Sequence, residues 1–467
     1  MLRATPSVGS SRARLRPAKR AGVPSRQRSP QGPAARQCGI SMALTPDRRI
    51  DLHAQKPAEP LMVIDGMRQH PLSVSRAPSW PWSCSEIPPG AHARRRQAAA
   101  DNAVEKGQTL MMGSIVTRVA GALLCAAVAA APARAADKLK VGFVYVGPVA
   151  DYGYSYQHDL SRKALAEALP GKVETTFLEN VPEADSERSI EKLARSGAGL
   201  IFTTSFGFME PTLKVAKKFP KVKFAHATGY KRADNVSTYS ARFYEGRYIC
   251  GKIAGKLSKS GTVGYIASFP IPEVVSGINA FMLGAQSVNP DIKIKIVWVN
   301  TWFDPGKEAE AAKALLAQGA DILTQHTDSA APLQEAEKAG KLAFGQSSDQ
   351  YRFAPKAQLT SIVDDWNGYV IAETKAVLDG TWKSGDTWAG IKDGMVVLAP
   401  FTNMPDDVKA LAEETKKGIV EGKIHPFQGP VLKQDGSVAV KEGEQAPDPM
   451  ILGMNWYVKG IDDRLTQ

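Results

Sequence analysis

From Lys138 onward, short continuous apolar runs alternate with stretches whose apolar residues recur every three to four positions. KLKVGFVYVG (138–147) is apolar throughout its middle, the pattern of a strand buried on both faces of a parallel sheet. A polar and aromatic loop follows, PVADYGYSYQ, then a helix over DLSRKALAEAL. KVETTFLEN predicts a strand, and Asp185/Ser186 predict the cap of a helix that Gly197 stops. GLIFTTS, KFAHAT and VSTYSAR predict further strands. Strand and helix patterns keep alternating: GTVGYIAS, PEVVSGINAFMLGAQSVN, IKIVWVNTW, KEAEAAKALLAQ, ADILTQH, PLQEAEKAG, LAFGQSS, LTSIVDDW and YVIAETKAVLDGTW. MVVLAPF and the helix PDDVKALAEETKKGIVEG come last. GAGLIFTTSF (197–206) and GADILTQHTD (319–328) say nearly the same thing, each between helix patterns, so one unit is used twice. The pattern predicts an α/β chain of two similar lobes with parallel sheets. No Gly/Ser-rich or Pro-rich linker separates them, so the chain is expected to cross directly between the lobes more than once.

Composition changes the picture at the N-terminus. The formal charge is +12, which invites a nucleic-acid partner. Residues 1–135, however, hold 20 Lys+Arg against 7 Asp+Glu, while the remaining 39 basic and 40 acidic residues nearly cancel. No nucleic-acid role is expected of the neutral part. Residues 1–110 are rich in Arg, Pro, Ser and Ala without sustained period, and read as a disordered or wrongly assigned extension, with Met111 or Met112 the expected start. Residues 111–135 show a short n-region, the apolar VAGALLCAAVAAA and small residues before Ala136, which predicts a signal peptide cleaved after Ala135 and a periplasmic protein. Beyond that point Cys250 is the sole cysteine, so no internal disulfide is expected.

Ligands of open parallel sheets sit beyond the carboxyl ends of strands. The corresponding loops are PVADYGYSY, SFGFMEP, ARFYEG, SFPIPE, NTWFDPGK, HTDSAAP, QSSDQ and VDDWNG; six of these eight carry an aromatic residue, which favours a flat ligand held between rings. Catalytic constellations are missing from the sequence. There is no G-x-S-x-G and no H-E-x-x-H, and His158, His226, His326 and His425 lack metal spacing. GRYICGK (246–252) fits a phosphate-loop pattern, but Ile253 stands where a Ser or Thr would hold magnesium, so it reads as a helix with one small-residue face. Asp364 and Asp365 are adjacent in a strand and face opposite ways. An enzyme is not expected, nor a metal or cofactor.

GFVYVGPVADYGYSYQHDL, ARFYEGRYICGKIAG, WFDPGKEAEAA, GADILTQHTD, GQSSDQ and LTSIVDDW together resemble the basic membrane protein family of ABC-transporter substrate-binding proteins, from Lys138 to the end. The resemblance implies a type I periplasmic binding fold: two Rossmann-like lobes joined by a multi-strand hinge and closing on a ligand. It divides the chain into lobe 1 (136–244 and 361–395), lobe 2 (245–360) and a C-terminal segment (396–467) associated with lobe 2 and the hinge. It implies a small-molecule ligand of the purine class, an ABC permease with its ATPase as partners, and a monomer.

The family's Asp-x-x-Phe-Asn stretch matches Asp151 and Tyr154, with Ser155 for the Asn; its second-lobe aromatic matches Trp302, and its loop after GADIL matches Asp328. Nucleoside binders commonly have Gly-Val-Asp at Gly345-Gln346-Ser347 and often Lys at Asp364, which argues against a ribose and for a free nucleobase, adenine first. With the loop aromatics and the QSSDQ loop, the candidate ligand-binding set is Asp151, Tyr152, Tyr154, Phe206, Trp302, Asp328, Ser347, Asp349 and Asp364. The rivals are the same fold binding a nucleoside, sugar or other small solute, and a periplasmic enzyme or ligand sensor.

Overall fold

The computed structural model describes residues 137–465, apart from the side chain of Asp151. The extension expected over 1–110 and the signal peptide expected over 111–135 lie outside the described residues. The apolar run at Lys138 forms β1 (Leu139–Tyr145), whose last five residues are all buried. It sits inside a six-stranded sheet with β2 (Val173–Leu178), β3 (Leu200–Thr204), β4 (Lys223–Ala227), β5 (Val236–Ala241) and β11 (Asp386–Ala389), in the order β11-β5-β4-β3-β1-β2. All of its neighbours pair in parallel. Helices α1 (Tyr154–Ala168), α2 (Ser186–Arg195) and α3 (Met209–Lys218) make its crossovers.

The second sheet repeats the plan with β6 (Thr262–Ala267), β7 (Lys293–Trp298), β8 (Ile322–Gln325), β9 (Leu342–Ser347), β10 (Gln358–Asp364) and β12 (Val396–Leu398), ordered β12-β10-β9-β8-β6-β7. Only β12 runs antiparallel, against β10. Helices α5 (Pro272–Gln286), α6 (Pro305–Ala317) and α7 (Ala331–Lys338) connect it. The chain passes between the sheets three times: through α4 (Phe243–Leu257), through α8 (Asn367–Leu378), and through residues 390–395. A β13–β14 hairpin (Val431–Leu432 and Val438–Val440), α9 (Asp406–Val420) and α10 (Asp448–Leu452) complete the described chain. Among the described residues no helix is long and apolar enough to cross a membrane.

Helices α4 and α5 lie against each other at backbone distance. A Cβ on Gly251 would fall 2.0 Å from the Phe281 carbonyl oxygen, and one on Gly284 would fall 2.1 Å from that of Tyr248. The small residues of GRYICGK are therefore helix-packing residues, and Cys250 among them is fully buried, its thiol pushed up to about 12 by burial. Two expectations are corrected. Asp185 makes no side-chain cap of α2. Helix α1 begins at Tyr154 rather than Asp159, which places an aromatic residue of the loop on the helix's first turn.

Candidate functional site

In each sheet the strand order reverses beside its first strand, between β1 and β3 in one and between β6 and β8 in the other. Crevices open at the carboxyl ends of strands at such switch points. Here the two crevices face each other across one partly open cleft.

The first half lines the cleft with Val146, Tyr154, Thr204, Ser205, Phe206 and Thr228. The second half supplies Glu273, Trp302, His326, Asp328, Gln346 and Ser347, with Phe243 entering from the crossing helix. Backbone strain concentrates at the same place. Thr228 and Ser347 hold left-handed φ angles of 60° and 61°, which is costly for a residue with a Cβ and worst for a β-branched one.

Of the expected residues, the fold brings Tyr154, Phe206, Trp302, Asp328 and Ser347 together on the cleft. Asp364 stands behind that lining: it ends β10 beside β9, fully buried, and neither carboxylate oxygen has a hydrogen-bond partner among the described residues. Its neighbour Asp365 turns the other way and accepts the Asn367 backbone N–H at 2.9 Å. Two expectations fail on position. Tyr152 packs on Tyr156 and Phe353 and carries the Arg352 guanidinium 3.3 Å over its ring, because its φ of 55° turns the side chain out of the cleft. Asp349 is spent on local structure, accepting from Tyr351 N (3.0 Å) and Gln358 Nε2 (2.8 Å). The Asp151 side chain lies outside the described residues.

Glu273 and His326 were not singled out as site residues by sequence. Glu273 ends the loop SFPIPE, which was expected to face a ligand, but it follows Pro272 in what reads as an ordinary helix start and nothing local singles it out. Its Oε1 lies 3.4 Å from His326 Nε2. Burial pushes the Glu273 carboxyl up to about 8, partly offset by Arg247. Burial likewise holds Asp364 well above the carboxylate range, and Asp328 too, where Glu308 adds to the effect and the Tyr154 backbone N–H opposes it. The His326 imidazole is pushed well down by burial and by Arg247, so it is neutral, and its Nδ1 has no partner among the described residues. Arg247 itself is fully buried and committed: it donates to Thr324 Oγ1 at 3.2 Å, to the Gln325 carbonyl at 2.6 Å and to Gln346 Oε1. The site therefore pairs aromatic faces with acids whose burial favours the protonated form and with a neutral imidazole, without a free cation among the described lining residues.

The halves touch across the cleft. Trp302 Nε1 donates to Glu183 Oε1 at 3.2 Å, and Gln350 Nε2 lies 3.3 Å from both the Tyr152 and the Asp328 carbonyl oxygens. Among the described residues no cluster of His, Cys, Asp and Glu could hold a metal ion.

Comparison with known proteins agrees with this fold. A purine-binding protein of Brucella abortus is 63% identical over 354 residues, covering 76% of this chain and all of that one. A putative ABC transporter glucose-binding protein of Haloferax volcanii is 34% identical, over 70% of this chain and 81% of its own. The crystal structure of a solute-binding protein of an ABC transporter system from Aeropyrum pernix superposes with a TM-score of 0.55 at 22% identity, covering 62% of this chain and 92% of that one, and shares the type I periplasmic binding fold. The family described as ABC transporter substrate-binding protein PnrA-like (Bmp) matches residues 138–432, and the chain belongs to it.

Proposed function

We propose that this protein binds a free purine base, adenine in preference, in the cleft between its two sheets and delivers it to an importer. A substrate-binding protein of an ABC transporter works outside the cytoplasm, with a permease and its ATPase as partners. The observation that carries the ligand assignment is the set of unpaired polar atoms on the cleft floor among aromatic rings. Tyr154 and His326 both line the cleft, and Tyr154 Oη and His326 Nδ1 are buried without partners among the described residues; Asp364, whose oxygens are also unpaired, lies near Tyr154 and Asp328 but outside the lining. Each unmatched buried group costs roughly 1–3 kcal/mol, so the site favours a guest that satisfies several at once. A purine offers flat faces to Phe206 and Trp302 and alternating donors and acceptors around its edge. A carboxyl kept protonated by burial offers one donor and one acceptor, which matches an exocyclic amine beside a ring nitrogen.

A ribose is disfavoured on the same grounds. Ser347 stands where nucleoside binders commonly carry the Asp that suits sugar hydroxyls, and its Oγ already accepts from Gln346 Nε2 at 3.1 Å. Gln346 beside it is occupied by Arg247 through its Oε1. The experiment is calorimetry of the purified protein, freed of carried-over ligand, with adenine, guanine, hypoxanthine, adenosine and glucose. Adenine is expected to bind most tightly and to raise the melting temperature most. Tight binding of glucose or adenosine with no response to any base overturns the proposal.

A further inference from the structure

Glu273 lines the cleft from the first turn of α5, with its side chain about one-fifth exposed and its Oε1 3.4 Å from His326 Nε2. The groups around it come from every element that packs there. Arg247 approaches from α4, His326 and Asp328 from the loop after β8, Asp364 from the end of β10, Tyr265 from β6 and Tyr154 from α1. Arg247 is the sole cation of this set, and its bonds go to Thr324, Gln325 and Gln346 rather than to Glu273. His326 is held neutral, so it offers a single ring N–H, and no ion pair forms.

We propose, resting on the purine reading above, that Glu273 is a specificity-determining residue that presents a carboxylic O–H, not a carboxylate, to a ring nitrogen of the bound base. The neutral His326 holds the carboxyl in place by donating Nε2–H to its carbonyl oxygen, which leaves the O–H free to point into the cleft. An acid in this role selects bases that carry an acceptor nitrogen at that edge and rejects those that carry an N–H there, because two donors would then be buried face to face. Adenine presents acceptors next to its amine; guanine and hypoxanthine present an N–H at the corresponding ring position.

The proposal makes affinity depend on pH in one direction. Binding needs the protonated acid, so affinity is full below the acid's pKa and falls as pH rises through about 8, toward tenfold for each further unit. A site that used the carboxylate would strengthen with pH instead.

Adenine binding is measured by calorimetry from pH 6 to pH 9 for the wild type, Glu273→Gln and Glu273→Ala. The amide of Glu273→Gln still donates but cannot ionise, so it is expected to bind roughly three- to tenfold more weakly at pH 6.5 and to lose the pH dependence. Glu273→Ala is expected to lose on the order of 30-fold or more at pH 6.5, and its pH profile reports the ligand's own titration. Thermal melts of the ligand-free variants check folding; removal of a partly buried acid that makes no ion pair is not expected to lower the melting temperature.

If adenine binds and the same slope persists in Glu273→Gln, another acid such as Asp328 is responsible and the assignment to Glu273 is overturned while the purine reading stands. The assignment also falls if Glu273→Ala binds within threefold of wild type. If no purine binds the wild type at any pH, both readings fall together.

Discussion

The two walls of the cleft solve opposite electrostatic problems. In the first half the Thr204 and Ser205 hydroxyls are satisfied internally, Thr204 Oγ1 donating to the Val144 carbonyl at 2.9 Å and Ser205 Oγ to Glu183 at 2.8 Å, which leaves Tyr154 Oη as the open hydroxyl among the described residues of that wall. Its fully buried titratable groups include two imidazoles. His158 lies flat on Trp366 with ring centroids 4.9 Å apart and both nitrogens unpaired among the described residues, and His226 Nδ1 is hydrogen-bonded to Thr203 Oγ1 at 2.9 Å. The second half buries acids, Glu273, Asp328 and Asp364, among few donors. Apart from Tyr154 Oη the first wall is a finished surface, whereas the second is incomplete until something supplies its missing partners. Each wall offers a ring, Phe206 on the first and Trp302 on the second, while edge-reading falls mainly to the second, so a ligand gains both faces only when the walls are together.

The largest expected effect is on stability in acid, and it separates the halves by sign. Burial lowers His158 and His226 to about 3, far below the ordinary value of 6.5 in the unfolded chain. Between those values the unfolded state binds the extra protons. The stability these neutral imidazoles contribute is therefore complete above about pH 6.5 and is lost as pH falls toward 3, by about 3 kcal/mol each at pH 4. The acids of the second half behave oppositely and offset the same acid-sensitivity of its one lining imidazole, His326. Their folded-state pKa values are raised, so lowering the pH from 7 relieves them. Hydrogen exchange at pH 4.5 is expected to open β3, β4 and α1 before β6, β8 and β9; opening of the second half first would erase the contrast.

Next come the two substitutions that remove one contribution from each kind of recognition. Trp302→Ala deletes a stacking face worth roughly 1–3 kcal/mol per base, and Asp328→Ala deletes a buried hydrogen-bonding acid worth about as much or more. Each is expected to abolish tight adenine binding in calorimetry. Their ligand-free melting temperatures should diverge: Asp328→Ala removes a buried acid that the empty site tolerates poorly and should melt no lower than wild type, while Trp302→Ala loses packing against Phe269, whose ring centroid lies 5.1 Å away. Wild-type affinity in both variants would remove the site.

How much of this was legible in the sequence depends on how local each feature is. Continuous apolar runs gave away β1, β3 and β8, because a strand covered on both faces has no polar positions to disguise it. Strand β11 was not legible: DTWA is an edge strand with no buried residue, so no pattern was required of it. The β13–β14 hairpin escaped for a similar reason, being two short strands of mixed exposure. At the site, residues directly after strands, such as Phe206 and Asp328, were found by position alone. Which of them turn inward was not, because that depends on single backbone angles, as at Tyr152 and Ser347, and on local hydrogen bonds, as at Asp349. Glu273 lay in an expected loop but was not singled out, because its partner His326 follows another strand of the same sheet, and Glu183 was invisible because Trp302 reaches it only when the two sheets face each other.

The smallest expected effect tests whether the walls must be held together or merely meet. Glu183, in a 3-10 turn of the first half, accepts Trp302 Nε1–H across the cleft while also accepting from Ser205 of its own half. Gly207 makes room for it, since a Cβ there would fall 2.0 Å from the Glu183 carboxyl carbon. The carboxylate is exposed, so the bond competes with water and contributes about 0.5–1.5 kcal/mol, a factor of roughly 2 to 10 in affinity. That loss should fall on ligand release, because the bond forms only after the walls have come together, and encounter is little affected by it. Stopped-flow binding is therefore expected to show Glu183→Ala releasing adenine several-fold faster at an unchanged association rate, with Glu183→Gln, which keeps an acceptor for the indole, close to wild type. A loss in Glu183→Ala as large as that of Asp328→Ala would mean that the strap at the rim, rather than the acids of the second wall, governs retention, and the division of labour between the walls would have to be redrawn.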